Sequence, residues 1–179
     1  MTNFSERELR DRAAARKHAK NYQNAMPQFI EEQGGDLYFT LSFHRGGQHV
    51  GTLRRHLQNY FGEVERKLLG HRFYKRPKEM RFRGWFFAEK IDVNAHWHGI
   101  VHLPRQYGQF LLKRVIVVRW LETQWNKAIP SGNAKIDLVG SQLKGGSRYV
   151  TKERRRIDFS DQMVTLEEFW PQSKPGRIV

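Results

Sequence analysis

The chain has 179 residues and a net charge of +14, with 39% hydrophobic and 13% aromatic residues. That is too apolar for a disordered chain, and the length suits one domain. The sequence contains no cysteine, which excludes disulfides, thiolate metal sites and a cysteine nucleophile. No run approaches the roughly 18 apolar residues of a membrane span, and residues 1–8 lack the apolar stretch of a signal peptide. A cytoplasmic protein with no membrane partner is expected. So strong a positive charge points to an anionic partner, and nucleic acid first.

Residues 5–24 read as a polar helix and Gly34-Gly35 then breaks the chain, so 1–35 reads as an N-terminal helical extension. Residues 37–44 alternate Leu37, Phe39, Leu41 and Phe43 with Tyr38, Thr40, Ser42 and His44, the period of a half-buried strand. Over 52–69, Leu53, Leu57, Tyr60, Phe61, Val64 and Leu68 recur at helical spacing, with Thr52 as the expected N-cap. A basic loop follows. Residues 66–83 net +7 and interleave Phe73, Tyr74 and Phe82 with Arg72, Lys75, Arg76, Lys78, Arg81 and Arg83. Cations beside stackable rings suit a single-stranded nucleic acid.

Residues 84–90 and 95–103 read as strands joined by Ile91-Asp92-Val93-Asn94. The spacing predicts a helix over 107–127, with Phe110, Leu111, Val115, Val118, Leu121 and Trp125 on one stripe. A turn at 130–133 leads to a strand over 134–139. Residues 144–156 net +5, and within them Gly145-Gly146-Ser147 precedes a short basic helix bearing Arg148, Arg154, Arg155 and Arg156. Residues 157–179 are expected to form a C-terminal tail. The order strand, helix, two strands, helix, strand, helix predicts an α+β fold of ferredoxin-like type. A central antiparallel sheet would carry helices on one face and leave the other open to a ligand.

Two positions apart on a strand, His96 and His98 share a face. A four-residue loop over 91–94 would pair Glu89 with His96 and gather Glu89, His96 and His98. A slip of one residue would turn Glu89 away. Two imidazoles and a carboxylate suit a metal site with open positions. On the later helix, Tyr149 shares a face with Lys152 and Glu153. A phenol is a poor nucleophile without help, and Lys152 would favour its phenolate. Glu153 could orient the lysine or reach the metal.

Leu37-Tyr38-Phe39-Thr40-Leu41-Ser42, Asn94-Ala95-His96-Trp97-His98-Gly99 and Tyr149-Val150-Thr151-Lys152-Glu153 together resemble the three motifs of the HUH endonuclease superfamily. The histidines precede the tyrosine, which resembles both replication initiators and single-strand transposases. Single-tyrosine initiators are the better likeness, and a eukaryotic viral source would imply a nuclear location. The resemblance spans about residues 36–156. It implies an HUH sandwich with a DNA-binding face that includes Tyr38, Thr40 and Ser42. It also implies Mn²⁺ or Mg²⁺ on Glu89, His96 and His98, and a tyrosine nucleophile that nicks and rejoins single-stranded DNA through a 5′-phosphotyrosine link. The partner would be a replication origin, near a hairpin, with a host helicase supplying unwinding. Two other readings fit these residues. One is a single-strand transposase of the same superfamily. The other is a non-catalytic nucleic-acid-binding module that stacks bases on Tyr38, Trp85 or Phe87.

Overall fold

The structure is a computed structural model that describes residues 32, 34–43, 49–108, 111–139 and 163–170. Among these, β1 (Leu37–Ser42) leads to α1 (Val50–Leu69). The basic loop contains two 3₁₀ turns, Phe73–Lys75 and Lys78–Met80. Then follow β2 (Arg83–Glu89), β3 (His96–His102), a short α2 (Arg105–Gly108), α3 (Leu111–Ala128) and β4 (Asn133–Leu138). The three-residue β5 (Met163–Thr165) runs into a 3₁₀ turn at Leu166–Phe169.

The strands form one five-stranded sheet in the order β4-β1-β3-β2-β5, and every pairing is antiparallel. β1 and β2 are therefore parallel to each other and split by β3, as in a ferredoxin-like α+β sheet. The segment 157–179 is not all tail, because 163–165 adds an edge strand to β2.

One face of the sheet carries the core. Alternation brings Leu37, Phe39 and Leu41 of β1 together with Phe86 and Ala88 of β2 and Trp97 and Val101 of β3. α1 covers them with Leu53, Leu57, Tyr60, Phe61 and Val64, as its periodicity predicts. α3 adds Val117, Leu121 and Trp125. The expected stripe of that helix included Val115, which instead stands 38% exposed. At Gly99 a side chain would collide with Phe86, since an added Cβ would lie 2.4 Å from its ring. The absence of a side chain lets that ring lie against β3.

The structure corrects two helix starts. α1 begins at Val50 and is capped by His49, whose Nδ1 accepts from the Gly51 amide at 3.1 Å, so Thr52 is not its cap. The segment beginning at 107 is divided between α2 and α3.

The second face is not bare. Phe87 and Ile100 are buried there, with Tyr38, Trp85 and Met163 packed against them. Phe87 is therefore no exposed stacking ring, contrary to the binding-module reading.

Candidate metal centre

The β2–β3 hairpin builds the site. Its register pairs Glu89 with His96 and Phe87 with His98, as the loop length predicts. Lys90 leaves the strand with φ 51, and its carbonyl accepts from the amides of Val93 and Asn94. The turn is therefore tight, and it delivers the Asn94 carbonyl to the start of β3. On the other side β1 places Ser42 beside His96 and Thr40 beside His98.

Glu89, His96 and His98 converge on the second face, with one ligand atom from each lying within 4.8 Å of the others. Glu89 Oε2 stands 2.7 Å from His98 Nε2 and 3.1 Å from His96 Nε2. Glu89 and His98 are buried, at 3% and 1% exposure, and His96 is nearly so.

Hydrogen bonding fixes which ring nitrogens face Glu89. His96 Nδ1 lies 2.8 Å from the Asn94 carbonyl oxygen, which can only accept, so Nδ1 carries a proton and donates it. In the neutral ring, Nε2 is then a bare lone pair aimed at a carboxylate oxygen 3.1 Å away. Two acceptors at that separation repel each other unless a cation lies between them, either a proton or a metal ion.

His98 is held from the opposite edge of its ring. Its Nδ1 is hydrogen bonded to the Tyr38 hydroxyl at 3.0 Å and to Thr40 Oγ1 at 3.2 Å. Both hydroxyl groups can donate as well as accept, so these bonds hold the ring's orientation and leave Nε2, 2.7 Å from Glu89 Oε2, as the nitrogen that faces the carboxylate. Oriented imidazoles of this kind are typical of metal centres. The donor set of two imidazoles and one carboxylate fits a divalent ion.

Tyr38 and Thr40 thus contact His98 of the trio. The first motif assigns them to DNA, and the alternation of β1 gives no hint of this second partner. Ser42 is engaged with β4: its hydroxyl donates to the Asn133 carbonyl at 3.2 Å and accepts from the Asn133 amide. His102 shares the face but packs edge-on against Trp85 at 6.1 Å, away from the trio.

The basic loop divides. Arg72, Lys75, Arg76 and Lys78 are exposed, and Arg83 is half-buried at the far end of the site face. Arg81 is a correction. It is 4% exposed and pairs with Glu65, with Nη2 to Oε2 at 2.6 Å and Nε to Oε1 at 3.2 Å. A guanidinium committed to a buried carboxylate is not a surface group for phosphate. Glu65 also accepts from the Phe82 amide at 3.1 Å. Burial pushes the Glu65 carboxyl above its usual range, although Arg81 and the amide pull it down.

Tyr149, Lys152, Glu153, Arg148, Arg154, Arg155 and Arg156 lie outside the described residues, as does nearly all of the 1–35 extension. Among the described residues, no helix is long and apolar enough to cross a membrane. The chain matches no protein-family model, no curated protein and no solved structure.

Proposed function

We propose that the protein is a metal-dependent endonuclease of single-stranded DNA, of the HUH replication-initiator kind. The observation that carries this reading is the trio Glu89, His96 and His98, with the His96 lone pair held against a carboxylate by the Asn94 carbonyl. The ferredoxin-like strand order and the exposed cations of residues 72–78 support it.

Glu89, His96 and His98 would hold the ion, which when bound supplies Lewis-acid polarisation of the scissile phosphate. Mn²⁺ or Mg²⁺ is the reading the motifs favour. The Asn94 carbonyl keeps His96 in the tautomer that turns an Nε2 lone pair toward Glu89, and Tyr38 and Thr40 hold the orientation of the His98 ring. Arg72, Lys75, Arg76 and Lys78 bind the strand through its phosphates. Tyr149 loses its phenolic proton, and its oxygen forms a bond to phosphorus. The bond from phosphorus to the 3′-oxygen breaks, and that oxygen takes up a proton. Lys152 stabilises the phenolate. The product is a 5′-phosphotyrosine link and a free 3′-hydroxyl, and attack by a 3′-hydroxyl reverses the step and joins strands.

Incubation with origin-like hairpin oligonucleotides and Mn²⁺, followed by a denaturing gel, tests this. The wild type gives a protein–DNA adduct, and Tyr149→Phe gives none while still binding the strand. An undiminished adduct from Tyr149→Phe removes that nucleophile. Binding without any metal-dependent cut in the wild type favours the non-catalytic module instead.

A further inference from the structure

On the helix side of the sheet, α1, the basic loop and the C-terminal 3₁₀ turn line an open-sided cavity of about 460 Å³. The metal centre makes no use of it. Phe73 and Trp170 contribute aromatic rings, and Gln58 and Asn59 contribute exposed amides. Arg81 and Glu65 contribute the buried ion pair.

The chemistry of this lining is specific. The Arg81 guanidinium lies 4.4 Å from the centre of the Trp170 ring and 5.4 Å from that of Phe73, within cation–π reach of both. Among the described residues, Glu65 is its only hydrogen-bond acceptor, and it takes Nε and Nη2. The N–H groups on Nη1 therefore remain for another acceptor. Glu65 neutralises the guanidinium, and Glu63 also lines the cavity, so the pocket does not favour an anion. A neutral, planar ring with a carbonyl edge suits it. Aromatic side chains offer faces for stacking, and amides offer donors and acceptors for a ring edge. Outside the pocket, Arg72, Lys75, Arg76 and Lys78 flank Phe73 on the same loop, and all four are exposed. That is more positive charge than one phosphate requires, which suits a ring carried on a strand better than a free nucleotide.

We propose that this cavity is a nucleobase pocket: one base of a single-stranded nucleic acid inserts against Phe73 and Trp170, while the loop cations hold the flanking phosphates. The proposal rests on the nucleic-acid part of the reading above and needs neither metal nor strand scission.

The test uses the full chain in EDTA with oligonucleotides carrying 2-aminopurine at successive positions. Fluorescence reports stacking, and anisotropy reports strand binding. In the wild type, one position or a short run is quenched. Phe73→Leu and Trp170→Leu each remove that quench and weaken strand binding about tenfold, the scale of one unstacked base. Trp170→Phe keeps a ring and keeps the quench, which separates stacking from a folding defect. His96→Ala also keeps it, because the pocket is independent of the metal centre. Free 2-aminopurine nucleoside monophosphate binds at least tenfold more weakly than the strand; equal affinity would overturn the strand as the source. Strand binding with no quench at any position, or a quench unchanged in both leucine variants, overturns the pocket alone. Failure of metal-dependent cutting leaves the pocket standing and removes the endonuclease reading. Absence of any strand binding overturns both.

Discussion

At the scale of single residues, the site depends on which nitrogen each histidine turns toward Glu89. Asn94 fixes His96 through a backbone carbonyl, so no substitution of the Asn94 side chain removes that bond directly. His98 is fixed by side chains instead, and these can be removed. Tyr38→Phe with Thr40→Val deletes both oxygens that meet Nδ1. Loss of such orienting partners generally costs about 10–100-fold in metal affinity. Titration with MnCl₂ should show a loss in that range for the double variant. Affinity equal to wild type would mean that the two hydroxyl groups do not orient the ring.

The register is legible in the sequence for a physical reason. Strand period is two, so His96 and His98 had to share a face; the pairing of Glu89 with His96 rests on assuming a loop over 91–94, and that register is present although Lys90 and Ala95 lie outside the strands. The second partners of Tyr38 and Thr40 are not legible there. They depend on β1 lying beside β3, a pairing between residues about 60 apart that no local pattern encodes.

At the scale of elements, the join between α1 and β2 turns on one buried ion pair. Glu65 sits on the buried stripe of α1, and Arg81 lies two residues before β2. Removing one partner of such a pair strands the other charge, so Arg81→Ala should destabilise the fold by about 3–5 kcal/mol in urea unfolding. Glu65→Ala combined with Arg81→Ala should cost much less than the sum of the single changes, because no charge is then left buried alone. Additive costs would show that the pair is not coupled.

The direction of the Glu65 shift also fixes a pH dependence. Its carboxyl is raised in the folded state, chiefly by burial, so the folded chain holds that proton more tightly than the unfolded chain. Its contribution is complete below the ordinary carboxyl range and is lost as pH rises through the raised value. Urea midpoints measured upward from pH 4 should therefore fall in the wild type relative to Glu65→Gln. A difference between the two that stays flat across this range would contradict the shift.

Charge counting could not find this pair. It scores every arginine as solvated, and only the packing of α1 against β2 takes Arg81 out of water. The other misplaced boundaries have similar causes. α3 carries Val115, Ile116, Val117 and Val118 in succession, so hydrophobicity alone does not say which of them faces the sheet. β5 is three residues long, too short for a period to show.

At the scale of the molecule, the two faces of the sheet divide the work. One face holds the aromatic and aliphatic core under α1 and α3. The other holds the acid and the imidazoles within a shell that includes Phe87 and Ile100. Burying the donors in this way strengthens their field on any ion they hold. The positive charge lies mainly in the basic loop and in residues 144–156, and the exposed part of the loop should govern the salt dependence of strand binding. Replacing Arg72, Lys75, Arg76 and Lys78 together by alanine should flatten the plot of log affinity against log salt by about 0.7 for each phosphate no longer neutralised. A slope unchanged by all four substitutions would move the electrostatic footprint elsewhere on the molecule.

The most direct test of the account is calorimetric titration of the purified, metal-free protein with MnCl₂. The account predicts one equivalent bound in the wild type. It predicts that binding is abolished by His96→Ala and by Glu89→Gln, in proteins whose circular dichroism shows the same folded structure. A wild-type protein that takes up no divalent ion, or binding that both substitutions leave intact, would contradict it.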